Sequence, residues 1–210
     1  MNDAFDDSFR AVLAEYEARD ASEADLPHTL ETRDQRLLPV GREGAQLLHA
    51  MIVGAGAKNI LELGTSYGYS TLWLADAARK TGGHVRSLDV SAQKQAYAKT
   101  MLGKAGLDRF VTFEAGDALE IIPRLAGPFE LVFLDIWKEL YVPCLELVAP
   151  KLAPGGVIAA DNMIHPEIVR EKALVYRRAV RAKPGMASVL LSVGSGIEVS
   201  RLVGPLDEGL

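Results

Sequence analysis

Five short apolar runs alternate with five helical stretches through the middle of the chain, and that alternation leaves few folds open. A strand that pairs in parallel with its predecessor needs a long crossover, which is usually a helix. The runs are Asn59–Leu63, His84–Asp89, Phe110–Glu114, Glu130–Leu134 and Gly156–Ala160. Helical spacing follows each of them, over about 69–80, from Ser91 as N-cap, and over 117–125, 139–150 and 166–182. The chain ends differently. Ala187–Val193 and Gly196–Val203 are strand-like runs joined by a tight GSG turn, which predicts a β-hairpin. Upstream, residues 4–19 set Phe5, Phe9, Val12, Leu13 and Tyr16 at helical spacing, a loop passes through Pro27, and a second helix is expected near 41–54. The expectation is one α/β domain spanning residues 1–210, with 1–40 as an N-terminal helical extension. Its sheet would be seven-stranded, doubly wound and mostly parallel, ending in an antiparallel hairpin.

Composition narrows the function classes. The 210 residues suffice for one buried core, with 49% hydrophobic and 24% charged residues. No apolar run approaches the roughly 18 residues of a membrane span. The acidic start, MNDAFDDSF, is unlike a secretion signal, so a soluble cytoplasmic protein is expected. The single cysteine, Cys144, excludes an internal disulfide and sits among apolar neighbours as a core thiol. His28, His49 and His84 read as structural or exposed. The net charge of −5 is uneven: ten acids fall within residues 1–34, whereas 170–183 carries Arg170, Lys172, Arg177, Arg178, Arg181 and Lys183. That basic stretch reads as a solvated helix face, or as a patch for an anionic substrate tail or a partner's acidic arm. It is too small to point to nucleic acid.

In an open α/β sheet, ligands bind beyond the carboxyl ends of the strands. The segment ILELGTSYGYS, Ile60 to Ser70, joins the first strand to the next helix through Gly64 and Gly68. Glycine there lets backbone approach a ligand closely. By itself such a turn is a weak signal. Acids at three successive strand ends, Glu62, Asp89 and Asp117, strengthen it. Asp89 can accept ribose hydroxyls, and Asp117 can face an adenine amino group. A dinucleotide site would instead want G-x-G-x-x-G and a pyrophosphate on the helix N-terminus. Here the turn is G-T-S-Y-G, Glu62 would repel a phosphate, and no Tyr-x-x-x-Lys pair occurs. A carboxylate suits an amino group and a sulfonium better, which points to S-adenosylmethionine. Tyr67 and Tyr69 read as packing residues, with Tyr67 in reach of the cofactor.

Two further strand ends carry hard oxygen donors. FLDIWKELY puts Asp135 after the fourth strand, and IAADNMI puts Asp161 and Asn162 after the fifth. An oxygen-only set suits Mg²⁺, Mn²⁺ or Ca²⁺. An Asp-Asn pair after a strand is also a common turn or cap.

Taken in order, LPVG (Leu38–Gly41), LELGTSYGYS, LDV, GDA, FLDIWKELY and AADN resemble the metal-dependent O-methyltransferases, the group of catechol and caffeoyl-coenzyme A O-methyltransferases. The resemblance covers roughly 36–203 and implies a Rossmann-like class I methyltransferase fold. It implies that Asp135, Asp161 and Asn162 bind the metal, Mg²⁺ first among the candidates, and that Lys138 is the general base. It implies that Val40, Gly41, Glu62, Gly64, Ser66 and Ser70 cradle the methionine part of the cofactor. Asp89 and Val90 would take the ribose, Asp117 and Ala118 the adenine, and Trp137 would stand beside the adenine and the transferred methyl. Asp135 would serve metal, cofactor and catalysis together. The acceptor would be a small hydroxylated aromatic, in the family's manner a vicinal diol, and a homodimer through the N-terminal helix is a family-level expectation.

A phenol titrates near ~10, so phenolate at neutral pH costs roughly 4 kcal/mol. A bound divalent ion can offset that cost. Lys138 can then take the proton if nearby positive charge favours its neutral form. Alternatively, Lys138 is a surface residue opening a helix. Two departures leave the acceptor open. The stretch MIHPEIVREK after Asn162 is shorter than the family's substrate loop, and it brings His165 as an extra base, a ligand or a loop residue. Ala187–Leu191 lacks the acid that mammalian catechol enzymes place there, and Glu198 is the hairpin's one acid. A metal-independent class I methyltransferase, and a module that binds S-adenosylmethionine without turnover, remain alternatives.

Overall fold

The computed structural model describes residues 5–26 and 35–204. Met1–Ala4, Pro27 with its loop, His28 and the acids at 31 and 34 lie outside them. Helix α1 (Asp7–Glu23) is followed by α2 (Arg42–Ala55). The alternation then runs β1 (Asn59–Leu63), α3 (Tyr69–Thr81), β2 (His84–Asp89), α4 (Ala92–Lys104), β3 (Val111–Ala115), α5 (Ala118–Ile121), β4 (Phe129–Leu134), α6 (Tyr141–Val148), β5 (Leu152–Ala160) and α7 (Arg170–Arg181). The hairpin is β6 (Met186–Leu191) with β7 (Ile197–Leu202).

The strands form one seven-stranded sheet in the order β3-β2-β1-β4-β5-β7-β6. The first five are parallel, and β7 inserts antiparallel between β5 and β6. Side chains alternate across each strand, so β1 sends Ile60 to one core and Leu61 and Leu63 to the other. Helices α1 to α4 cover the first face and α5 to α7 the second.

Several boundaries differ from expectation. The helix expected over 117–125 shrinks to α5 and a single 3₁₀ turn, because Pro123 cannot donate to a continuing helix. The third strand begins one residue late, since Phe110 closes a 3₁₀ turn. The hairpin connection is not a tight GSG turn. Leu191 pairs with Ile197, so five residues, Ser192–Gly196, form the loop. That loop is held from outside: Met163 N donates to Gly196 O and Ile164 N to Ser195 O, each at 2.9 Å. Ser91 does cap α4, accepting from Lys94 N at 3.2 Å.

Helix α1 is integral to the core. Phe9, Val12, Leu13 and Tyr16 are all buried, each contributing about 2 kcal/mol of apolar transfer. Phe9 meets Trp73 of α3 edge-on at 5.1 Å between ring centroids. A dimer through this helix would have to use its outer, polar face.

Candidate active site

Strands β1 and β4 are neighbours, yet the chain leaves them for opposite faces, through α3 and α6. A crevice opens where they part, at their carboxyl ends. It is lined by the lip Leu37–Val40, by Gly64, Thr65 and Ser66 of the turn, by Tyr69 and Ser70 of α3, and by Asp135. The cleft encloses about 220 Å³, its open mouth included. Val40, Gly64, Ser66, Ser70 and Asp135, all expected at the cofactor site, line this one cleft. Gly41, at φ 82°, caps α2 just behind Val40.

Gly64 has a different reason for being glycine than close approach to a ligand. Its φ is 103°, and a Cβ there would collide with the carbonyl oxygen of Asp135. The missing side chain lets β4's exit cross over β1's exit, which puts Asp135 in the cleft.

Glu62 is not at a strand end. It lies within β1, fully buried, beneath the turn. Its Oε1 accepts from Ser70 Oγ at 2.6 Å, and its Oε2 accepts from Thr71 Oγ1 at 2.7 Å and Ser87 Oγ at 2.6 Å. Thr65 Oγ1 and Ser87 Oγ are 2.5 Å apart, and Gln95 Nε2 donates to Thr65 Oγ1 at 3.0 Å. Burial pushes the Glu62 carboxyl up to about 7, against the downward pull of the three hydroxyls, with Asp135's charge adding to the rise. Glu62 therefore braces the cradle from below.

Asp89 closes the turn from the side. Its Oδ2 accepts from Ser66 N at 2.7 Å and its Oδ1 from Ser91 N at 2.8 Å. A carboxylate has further lone pairs, so it keeps capacity for hydroxyls. Asp117 is exposed and caps α5, accepting from Leu119 N at 2.8 Å, with Ala118 buried behind it. Val90 is 72% exposed. These three lie along the sheet's carboxyl edge, beyond the residues that line the cleft.

Asp135 and Asp161 follow paired strands. Asp135 N donates to Leu63 O at 2.9 Å and Asp161 N to Leu134 O at 3.0 Å, so the two residues lead off side by side. Asp161 is buried and its Oδ1 has no hydrogen-bond partner. Burial, then the charge of Asp135, pushes its carboxyl up. Two carboxyls crowded in a low-dielectric site, one with an orphaned oxygen, form a donor set that a small cation would relieve. Among the described residues no three or more His, Cys, Asp or Glu side chains gather around one point. A metal here would rest on the two aspartates and the Asn162 amide oxygen.

Lys138 is buried, which contradicts the surface reading of it. Its Nζ is 3.7 Å from Asp135 Oδ1, donates to Ile136 O at 3.2 Å and donates to Tyr141 Oη. Tyr141 is fully buried, and its Oη also reaches Leu134 O at 2.9 Å and Asp161 O at 3.2 Å. One hydroxyl thus touches the ends of β4 and β5 and the lysine between them. Sequence reasoning missed this role, although the i, i+3 spacing of Lys138 and Tyr141 puts them on one helical face. Trp137 stands 54% exposed beside them.

Backbone strain concentrates in the same place. Among the described residues, the non-glycine residues with left-handed φ are Leu38 (46°), Ser66 (45°) and Asn162 (58°). Asparagine tolerates that region, but leucine and serine rarely adopt it. Such outliers persist where surrounding structure enforces them, and they cluster at functional sites.

His165 is exposed. Glu198 is fully buried on β7, where Arg177 Nε donates at 3.1 Å and Arg181 Nε at 2.6 Å. It anchors α7 to the sheet, and this pairing occupies much of the basic stretch. Lys172 pairs with Glu139 and Lys183 with Glu146. Cys144 is a buried free thiol, as expected, pushed up to about 12 by burial and then by Asp117. His49 is likewise structural, 2.8 Å from Asp76 Oδ2. No helix of the described residues is long and apolar enough to cross a membrane.

Comparison with known proteins agrees with this geometry. Residues 23–203 match the family model described as O-methyltransferase. A catechol O-methyltransferase of Niastella koreensis is 40% identical over 112 residues, covering 51% of this chain and 50% of the relative. A catechol O-methyltransferase of Mycobacterium tuberculosis is 34% identical over 143 residues, covering 66% and 64%. The matched regions therefore span about half to just under two thirds of those relatives' length. The cofactor-bound crystal structure of Rv0187 from MTB superimposes with a TM-score of 0.75 at 28% identity, covering 94% of this chain and 90% of that one. With a seven-stranded sheet of this order and a family match across most of its length, the chain belongs to the O-methyltransferase family.

Proposed function

We propose that the protein transfers a methyl group from S-adenosylmethionine to a hydroxyl of a small vicinal-diol aromatic, with a divalent cation at Asp135, Asp161 and Asn162. One observation carries the reading. Asp135 lines the cleft of the glycine turn and also crowds against Asp161, whose Oδ1 is buried without a partner. A cofactor cradle and a cation-seeking oxygen set thus share one residue. The names of the catechol O-methyltransferase relatives support the acceptor class.

S-adenosylmethionine supplies the methyl on a positively charged sulfur. The N-terminus of α3, at Tyr69 and Ser70 in the cleft wall, favours a carboxylate, and Asp135 favours an ammonium. Asp89 offers its remaining lone pairs to ribose hydroxyls. A divalent cation, Mg²⁺ first given the oxygen donors, supplies charge that stabilises a deprotonated acceptor hydroxyl. With a cation bound at Asp135, its charge would favour the neutral amine of Lys138, which could then take the hydroxyl proton at Nζ, held in place by Tyr141 and the Ile136 carbonyl. With the cofactor bound, the acceptor oxygen would take the methyl as the S–C bond breaks, and a neutral thioether would leave. Opposite charges are neutralised in that step, so alignment matters more than polarity, with effective molarities of about 10⁵–10⁸ M as its scale. Trp137 offers an exposed aromatic face for the acceptor ring.

Calorimetric titration tests the cradle. The protein should bind S-adenosylhomocysteine and not NAD. Binding of NAD with none of S-adenosylhomocysteine would refute the reading.

A further inference from the structure

Helix α1 does more than cover the core. Three of its side chains reach both walls of the cleft. Tyr16 Oη donates to Tyr67 O at 2.7 Å, on the turn wall. Glu23 Oε2 accepts from Leu37 N at 2.6 Å, on the lip wall. Arg19 lies between them: its Nε donates to Glu23 Oε1 at 2.6 Å, and its guanidinium lies 3.9 Å from the centre of the Tyr67 ring. Tyr16 and Glu23 are both buried.

The bonds fall beside the strained residues. Leu37 immediately precedes Leu38, at φ 46°, and Tyr67 immediately follows Ser66, at φ 45°. Leu38 and Ser66 both line the cleft. Neither residue type adopts this conformation readily, so each wall needs external restraint to keep its shape. Asp89 holds Ser66 N from β2, and directional bonds to the neighbouring peptide groups add a restraint on each wall that comes from one helix. Arg42 Nη2 donates to Glu17 Oε2 at 2.5 Å, which fixes α1 to the helix that follows the lip.

We infer that Tyr16, Arg19 and Glu23 are positioning residues for the cofactor cleft: α1 clamps the lip and the glycine turn in their left-handed conformations, so docking of α1 and occupancy of the cleft are thermodynamically linked. The inference rests on the proposed function for the identity of the occupant. Linkage is reciprocal. Loosening α1 must weaken the ligand, and the ligand must tighten α1.

The test uses the full chain, with S-adenosylhomocysteine as the probe. Tyr16→Phe keeps the ring and removes the bond to Tyr67 O. Glu23→Ala removes the acceptor for Leu37 N, and Glu23→Gln keeps an acceptor in place. Tyr16→Phe and Glu23→Ala should each weaken binding by about five- to tenfold, the scale of one buried hydrogen bond. Glu23→Gln keeps one of the two acceptor oxygens and should recover part of the loss. In the wild type, hydrogen exchange of the Asp7–Glu23 amides should slow when the ligand is added, and by more than that of the α7 amides on the sheet's other face, which report general stabilisation. A merely structural helix would lower the melting temperature in the variants and leave both readings unchanged, and that result overturns the inference. The exchange measurement needs no variant, so it decides the matter even where a substitution prevents folding. If the wild type binds no S-adenosylhomocysteine, the cofactor reading fails and takes the inference with it. Wild-type binding with unchanged variants, and with exchange slowed no more than in α7, overturns the inference alone.

Discussion

Glu62→Gln isolates the energetics of the cradle. Burial raises the Glu62 carboxyl from an ordinary 4.5 to about 7. Below 4.5 the group is protonated in both folded and unfolded chains, so it makes no difference to stability there. Between 4.5 and about 7 the folded chain holds a proton that the unfolded chain has released, so stability falls as pH rises. The loss is complete above the folded value and amounts to roughly 3 kcal/mol at about 1.4 kcal/mol per tenfold. Glutamine cannot ionise, and its amide can exchange hydrogen bonds with Ser70, Thr71 and Ser87, whose hydroxyls rotate. The variant should therefore gain on the wild type as pH rises, by up to about 3 kcal/mol between pH ~4.5 and ~8. Urea unfolding of both proteins across that range measures the difference. Parallel stability profiles would refute the idea that an ionisable carboxyl is held there against its desolvation cost.

Three further outcomes follow from named contacts. Tyr141→Phe should lower kcat by about tenfold or more, with little change in S-adenosylhomocysteine affinity, because it loosens Lys138 without touching the cleft wall; steady-state kinetics with calorimetry separate the two. Gly64→Ala combines a φ of 103° with a collision against the Asp135 carbonyl, so it should destabilise the fold by about 2 kcal/mol or more and abolish ligand binding, read by thermal melting and titration. Removing both Arg177 and Arg181 strands the buried Glu198 carboxylate and should cost about 3 kcal/mol or more in a denaturant melt, while glutamine at 198 in the same background should recover part of it.

The sheet was legible because its strands are short apolar runs bounded by glycine, asparagine or aspartate. The starts of β1, β2, β6 and β7 and the ends of β1, β2, β4 and β5 fall within one residue of expectation. The failures have local causes. Strand β5 begins at Leu152 rather than Gly156, because Pro154 and Gly155 suppress the strand signal where the pairing register with β4 shifts. The hairpin loop is longer than its GSG signature because its amides and carbonyls serve the segment after Asn162. At the site, residue types on successive strand ends were readable; of these Asp135 lines the crevice, while Glu62 lies beneath it and Asp89 and Asp117 stand along the sheet's carboxyl edge. Their hydrogen bonds were not readable. Glu62 depends on Ser87, on the neighbouring strand, and Asp89 depends on a turn amide, so neither partnership has a sequence period. The clamp by α1 is equally silent, since the stripe containing Tyr16 reads only as a core face.

If a cofactor cradle and an oxygen-donor cation site meet at Asp135, methyl transfer must depend on the cation. Methyl transfer from S-adenosylmethionine across a panel of vicinal-diol aromatics, with Mg²⁺ and with EDTA, tests it most directly, with Asp161→Ala in parallel. Turnover of at least one vicinal diol with Mg²⁺ is expected, with its loss in EDTA, recovery on adding the metal back, and little activity in the variant. Equal turnover with and without EDTA, undiminished in Asp161→Ala, would contradict it.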